Sequence, residues 1–220
     1  MRATRLIDLS HELEHGMITY KGLPGPVICE YLTREASRAL YARGTEFHIG
    51  KIEMVANTCT YVDAPFHRYA DGKDLANLPL ESLAHLEAVV IRNRGPEIGA
   101  EAFAGLGVRD KAVLVHSGWD RHWRTSRYLE GHPYLTRDAA RTLANGGAAL
   151  VGIDSHNIDD TRDGTRPAHT ILLGAGIPIC EHMCNLGSAP DAGFRFYAVP
   201  VKVKAFGTFP VRAFALVEEE

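Results

Sequence analysis

Short apolar runs, broken by Gly, Pro and Asp, recur along the whole chain: RLIDLS, HIGKIEMV, EAVVIRN, AVLVHSG, ALVGID, FRFYAVPVKV and VRAFALV. Their brevity and β-branched content predict strands and a mostly β core. Helical patterns are fewer. The clearest covers residues 136–145, TRDAARTLAN, with Thr136 as cap, Asp138 at the positive end and Gly146-Gly147 as stop. It leads directly into ALVGID. Two further helices are predicted in LPLESLAHL and GAEAFAGL. Strands alternating with helices in the middle, between strand-rich ends, predict an α/β domain with a mixed sheet. The last two apolar runs are expected to pair antiparallel across a turn at FGTFP, and Pro200 puts the first of them at an edge or a bulge.

Composition narrows the class. A chain of 220 residues, 45% apolar, with no internal repeat or Pro/Ser linker, can bury one core, which predicts a single domain over residues 1–220. The formal net charge of -3, spread along the chain, offers no basic stripe, so a nucleic-acid partner is not expected. Nor does any segment reach the ~18 apolar residues of a membrane span, and none reads as a signal peptide. Cys29, Cys59, Cys180 and Cys184 are too few and irregular for a disulfide framework, which suits a reducing, cytoplasmic setting. His182 between Cys180 and Cys184 suggests zinc, but no second pair completes four ligands.

Candidate chemistry concentrates in two stretches. In NTCTYVDAPFH, residues 57–67, Pro65 biases Ala64 to an extended form, so Asp63 and His67 sit where a strand leaves the sheet through a fixed turn. The bland reading makes Asp63 a turn cap and His67 a half-buried side chain. The second stretch follows the strand LVGID and carries Asp154, Asp159, Asp160 and Asp163, with Arg162 and Arg166 available to pair with two of them. Beyond it, His169 stands where a loop enters the apolar run ILLGAGIPI, and Glu181 ends IPIC. A carboxylate at the end of an apolar strand meets a cation or a backbone amide more often than empty space. His169 and Glu181, if they face Asp63, give a carboxylate–imidazole–carboxylate set suited to zinc or manganese. Trp119, Trp123 and Tyr20 line an aryl-binding cleft or else serve as core or dimer contacts.

The motifs IDLSHELEHGM, TYVDAPFHRYADG, VGIDSHNIDD and HTILLGAGIPICEHMCNL, in this order, resemble those of the putative cyclase family, which includes bacterial kynurenine formamidases and isatin hydrolases. The family signature reads His-x-Gly-Thr-His-x-Asp-x-Pro-x-His. Here Asn57 and Tyr61 replace its two metal-ligand histidines and Cys59 its glycine, while Thr60, Asp63, Pro65 and His67 remain. The resemblance implies a swivelling β/β/α fold and association as dimers, tetramers or larger oligomers in which a neighbour completes the site. It implies an arylformamidase-like hydrolase of carbon–nitrogen bonds other than peptide bonds, of the kind used in tryptophan catabolism, acting on a small molecule. In the family's two-metal members the second ion lies on residues matching Asp63, His169 and Glu181, so one divalent ion is expected there and the first position is expected to be lost. Cys59 or His48 could substitute as a ligand. His67 then moves the proton, and the Tyr61 hydroxyl stands where the first ion stood, able to donate to a substrate carbonyl. Two alternatives stay open: a metal-free cyclase or lactone hydrolase using Tyr61 and His67 as an acid–base pair, and a degenerate homologue that binds a small carbonyl compound without turning it over.

Overall fold

The structure is a computed structural model that describes residues 3–218. In chain order the strands are β1 (Thr4–Asp8), β2 (Val27–Leu32), β3 (Ile49–Glu53), β4 (Tyr61–Asp63), β5 (Leu86–Arg92), β6 (Glu97–Ile98) and β7 (Ala112–His116). They continue with β8 (Tyr134–Leu135), β9 (Leu150–Ile153), β10 (Ile179–Glu181), β11 (Phe194–Tyr197), β12 (Thr208–Pro210) and β13 (Phe214–Glu218). The helices are α1 (Arg34–Ser37), α2 (Arg137–Gly146) and α3 (Pro167–Gly174). Nine strands form one mixed sheet in the order β1-β13-β11-β5-β7-β9-β10-β4-β12. Its centre, β5-β7-β9-β10, is parallel, and antiparallel strands flank it on both sides.

The central strands read as unbroken apolar runs because both faces are covered. Along β7, Val113 and Val115 pack into one cluster with α2 and α3, while Ala112 and Leu114 join the opposite cluster with Phe194, Phe196 and Ala215. The expected helix α2 is present: Thr136 accepts from the Ala139 amide, and Gly147 closes the helix at φ 75°. The mixed-sheet α/β expectation therefore holds, as does the antiparallel pairing of the last two apolar runs, β11 with β13.

Local expectations are corrected in five places. LPLESLAHL and GAEAFAGL each make one 3-10 turn, Leu80–Ser82 and Ala100–Phe103, the first soon followed by His85 at φ 58° and the second by Gly105 at φ 74°. FGTFP supplies the edge strand β12, paired with β4, rather than a turn. Because β11 ends at Tyr197, Pro200 falls outside it, and β11 lies inside the sheet between β13 and β5. The run after His169 begins as helix α3, whose apolar residues face several ways and so carry no amphipathic period.

Two registers position the chemistry. β10 runs antiparallel to β4 with Glu181 opposite Tyr61, and β12 places Thr208 opposite Asp63. Cross-strand partners are near neighbours on one face, so the sheet itself sets these two contacts.

Candidate metal centre and cleft

At the end of β4, Asp63 is fully buried. Thr208 donates its hydroxyl hydrogen to Asp63 Oδ1, while Asp63 Oδ2 is buried with no hydrogen-bond partner among the described residues. Since the Thr208 hydrogen is committed, its oxygen accepts from His67 Nδ1 at 2.9 Å. This assigns the His67 proton to Nδ1 and leaves Nε2 with its lone pair. Pro65–His67 form the tight turn expected after β4, and His67 lines the cleft with about a third of its side chain exposed, 34%.

Helix α3 brings in His169. Arg166, which precedes Pro167, offers no side-chain cap, so the first amides of α3 are satisfied from a distance: Asp159 accepts from the Ala168 amide at 2.6 Å and the His169 amide at 3.0 Å. The same carboxylate lies 2.6 Å from His169 Nδ1. With Nδ1 held by Asp159, Nε2 is directed at Asp63 Oδ2, 3.6 Å away, and Glu181 Oε1, 3.7 Å away. Glu181 ends β10, where Oε1 accepts from the Ile158 amide at 2.6 Å and Oε2 from the Tyr61 hydroxyl at 2.6 Å.

Burial disfavours charge on His169, Glu181 and Tyr61, and their neighbours decide the outcome. For His169, burial alone disfavours the imidazolium, but Glu181, Asp159 and Asp63 outweigh it and leave the pKa raised. Burial raises Glu181 against the opposing charge of His169, with Asp63 adding to the rise. Tyr61 is pushed well above the usual phenol range by burial, then by Glu181 and Asp63, and keeps its proton.

These residues fit a divalent cation. The separations of 3.6 and 3.7 Å from His169 Nε2 each suit a pair of donor atoms on one ion at about 2.0–2.2 Å. Asp63 Oδ2 is an orphaned buried acceptor, and the Asp159–His169 contact is the outer support that metal-bound imidazoles commonly have. Asp63, His67 and His169 also each present a ligand atom within 4.8 Å of the others. His116, Asp120 and Asp154 meet the same spacing, but there the Arg92 guanidinium lies 2.9 Å from His116 Nδ1 and Asp154 already accepts from Ser117 and Gly118. A guanidinium on the imidazole opposes a second cation.

The other sequence candidates separate from the centre. Cys59 donates its thiol to the His11 carbonyl, and His48 pairs with Glu30 on the β2–β3 hairpin. Cys180 belongs to the apolar core. Of the aromatic candidates, Tyr20 lines the cleft, Trp119 donates to the Tyr128 carbonyl and Trp123 stacks on His11. Asp160 is taken by Arg162 and Asp163 by Thr165. Thr208 was not singled out from the sequence, and Asp159 stood there only as one of several acids. Neither carries a local signal: Asp159 stands eight residues before Pro167, which opens α3, and Thr208 depends on the β12–β4 register.

Asn57 and Tyr61 line a cleft of about 240 Å³ together with His67, His169 and Glu181. The cleft lies where the buried carboxylates of β4 and β10 meet His169 of α3, and a family model described as Putative cyclase matches residues 7–160. The chain belongs to that family. It is 28% identical over 216 residues to the kynurenine formamidase of Bacillus cereus, covering 97% of this chain and 98% of the relative. The kynurenine formamidase of Bacillus anthracis is 27% identical over 217 residues with the same coverage, 97% and 98%. Among solved structures, isatin hydrolase A from Labrenzia aggregata bound to benzyl benzoate superposes with TM-score 0.83 at 24% identity, covering 98% of this chain and 94% of that one. A structure described as a potential metal-dependent hydrolase with cyclase activity gives 0.80 at 24% identity, covering 99% and 100%. The fold expected from the motifs is shared throughout.

Proposed function

We propose that the protein is a metal-dependent hydrolase of a small amide, arylformamidase-like, with one divalent ion held by Asp63, His169 and Glu181. The observation that carries this reading is His169: Asp159 fixes one ring nitrogen while the other points between two buried carboxylates, one of them with an orphaned oxygen. When bound there, the ion, zinc or manganese, supplies Lewis-acid polarisation of the substrate carbonyl. His67 takes a proton from the attacking water at Nε2 and returns it to the leaving nitrogen, while Thr208 holds its Nδ1–H and so fixes the tautomer. Tyr61 keeps its proton on Glu181 and, with Asn57, fills the wall where the family signature has histidines. The relatives named kynurenine formamidase support an aryl formamide as substrate.

A metal-free cyclase or lactone hydrolase rests on Tyr61 and His67 lining one cleft. The Tyr61 proton is directed at Glu181 rather than into the cleft, which favours the metal-dependent reading over that pair. The same reading includes a cytoplasmic setting, supported by four free cysteines, and association with a second copy of the chain. The β2–β3 hairpin supports the association: it forms its own two-stranded sheet and exposes Tyr31, Phe47, Ile49 and Ile52.

Hydrolysis of an aryl formamide such as formanilide tests the proposal. Turnover is expected to fall to background after chelation and to return with added Zn²⁺ or Mn²⁺. Full turnover in chelator overturns it.

A further inference from the structure

The cleft holds a cation that the reaction above does not use. Arg162 takes both oxygens of Asp160, at 2.9 and 2.9 Å, and leaves no acid for Arg166. Arg166 donates Nη1 to the Asp160 carbonyl at 3.0 Å, and among the described residues it has no carboxylate within 4.0 Å and no second acceptor. A guanidinium carries five donors in a planar fork, so most of this one stays free. Burial raises the Tyr20 phenol and the Arg166 charge works against that rise, which sets the guanidinium near a residue of the cleft wall. Arg68, the other arginine of the cleft, is turned to Thr170 and the Tyr69 ring instead.

Two further observations converge on the same spot. Asn157 is 5% exposed, and its Oδ1 accepts from the Asp159 amide at 2.9 Å. That contact fixes the carboxamide and leaves its NH₂ with no acceptor among the described residues, although it lines the cleft. The Arg166 backbone lies at φ 47°, ψ 62°, a left-handed conformation in which a non-glycine residue is strained. Glycine would adopt this conformation without that strain.

We infer that Arg166 and Asn157 form an anion subsite in the cleft, which takes a carboxylate carried by the substrate beside its reacting carbonyl. A forked guanidinium and a neutral N–H donor match the two oxygens of a carboxylate. The apolar walls, Tyr20 and Leu23, suit the carbon frame that joins the two groups. The inference deepens the hydrolase reading by naming a substrate class, a carbonyl compound that is also an acid, and it rests on that reading only for the word substrate.

The test is binding, not turnover. Benzoate and benzamide, equal in shape and different in charge, are titrated by calorimetry into the metal-loaded protein and into Arg166→Gly and Arg166→Lys. The wild type is expected to prefer benzoate by about 10- to 100-fold, the range for hydrogen bonds to a charged partner. Arg166→Gly, which suits the left-handed backbone and so folds, should bring the two affinities within about twofold. Arg166→Lys, which keeps charge without the fork, should retain part of the preference. Equal affinities in the wild type overturn the subsite, and so does an undiminished benzoate preference in Arg166→Gly, the result expected if an ion on Asp63, His169 and Glu181 alone takes the carboxylate. A benzoate preference lost in Arg166→Gly from a protein that hydrolyses no amide would sink the hydrolase reading and leave the subsite standing. Amide hydrolysis without the preference would do the reverse.

Discussion

Tyr61 and Glu181 face each other across β4 and β10, and the phenol donates a 2.6 Å hydrogen bond to the carboxylate. A residue that replaces a signature histidine thus holds one of the proposed ligands in place. Tyr61→Phe should leave Glu181 Oε2 buried without its donor, costing about 1–3 kcal/mol of stability and weakening the ion about 10- to 100-fold. Urea unfolding and metal titration read the two effects separately. Wild-type values for both would mean that the contact carries neither stability nor site geometry.

Asp159→Asn tests the outer support of His169. The amide can still accept from one helix amide but no longer holds His169 Nδ1–H as a charged acceptor. Metal affinity should fall about 10- to 100-fold while the α-helical circular dichroism persists. An unchanged affinity would assign Asp159 to capping α3 alone.

The pH dependence of the centre has a definite sign. His169 has its folded pKa raised, to about 10, so in chelator-treated protein its contribution to stability is complete below the ordinary histidine value of about 6.5 and is lost as pH rises towards that raised value. An ion must displace the same proton from Nε2 and so binds better at higher pH. The gap in Tm between metal-loaded and chelator-treated protein should therefore widen from pH 6.5 to 9. A gap that narrows contradicts the assignment of His169 as a ligand.

The double variant Asn57→His, Tyr61→His restores the signature histidines in a cleft that already contains both positions. With the ion in excess, which offsets the lost Tyr61–Glu181 contact, metal analysis should rise from one ion per chain to two. No gain would mean that the surrounding wall, and not these two side chains, closed the first position.

What the sequence made legible follows from range. Asp63, Pro65 and His67 lie within five residues, and their turn is fixed by proline, so the local geometry could be read directly. His169 and Glu181 stand out by their places at the ends of apolar runs, but Glu181 approaches Asp63 only through the antiparallel β10–β4 pair and His169 only through the placement of α3, which no local pattern encodes. Thr208 shows the limit most clearly. It sits in FGTFP, which carries every mark of a turn, and acquires its contact with Asp63 only because β12 adds to the sheet edge. Helix α3 was hidden for a different reason: buried on most sides, it lacks the polar face by which helices are recognised.

The central claim, one divalent ion on Asp63, His169 and Glu181 with His67 free to move a proton, is tested most directly by metal stoichiometry of the wild type, Glu181→Gln and His67→Ala purified without added ions. The account predicts about one ion per chain in the wild type and in His67→Ala, little in Glu181→Gln, and no turnover by His67→Ala. A wild type that turns over without metal, or a His67→Ala protein that loses its ion, would contradict it.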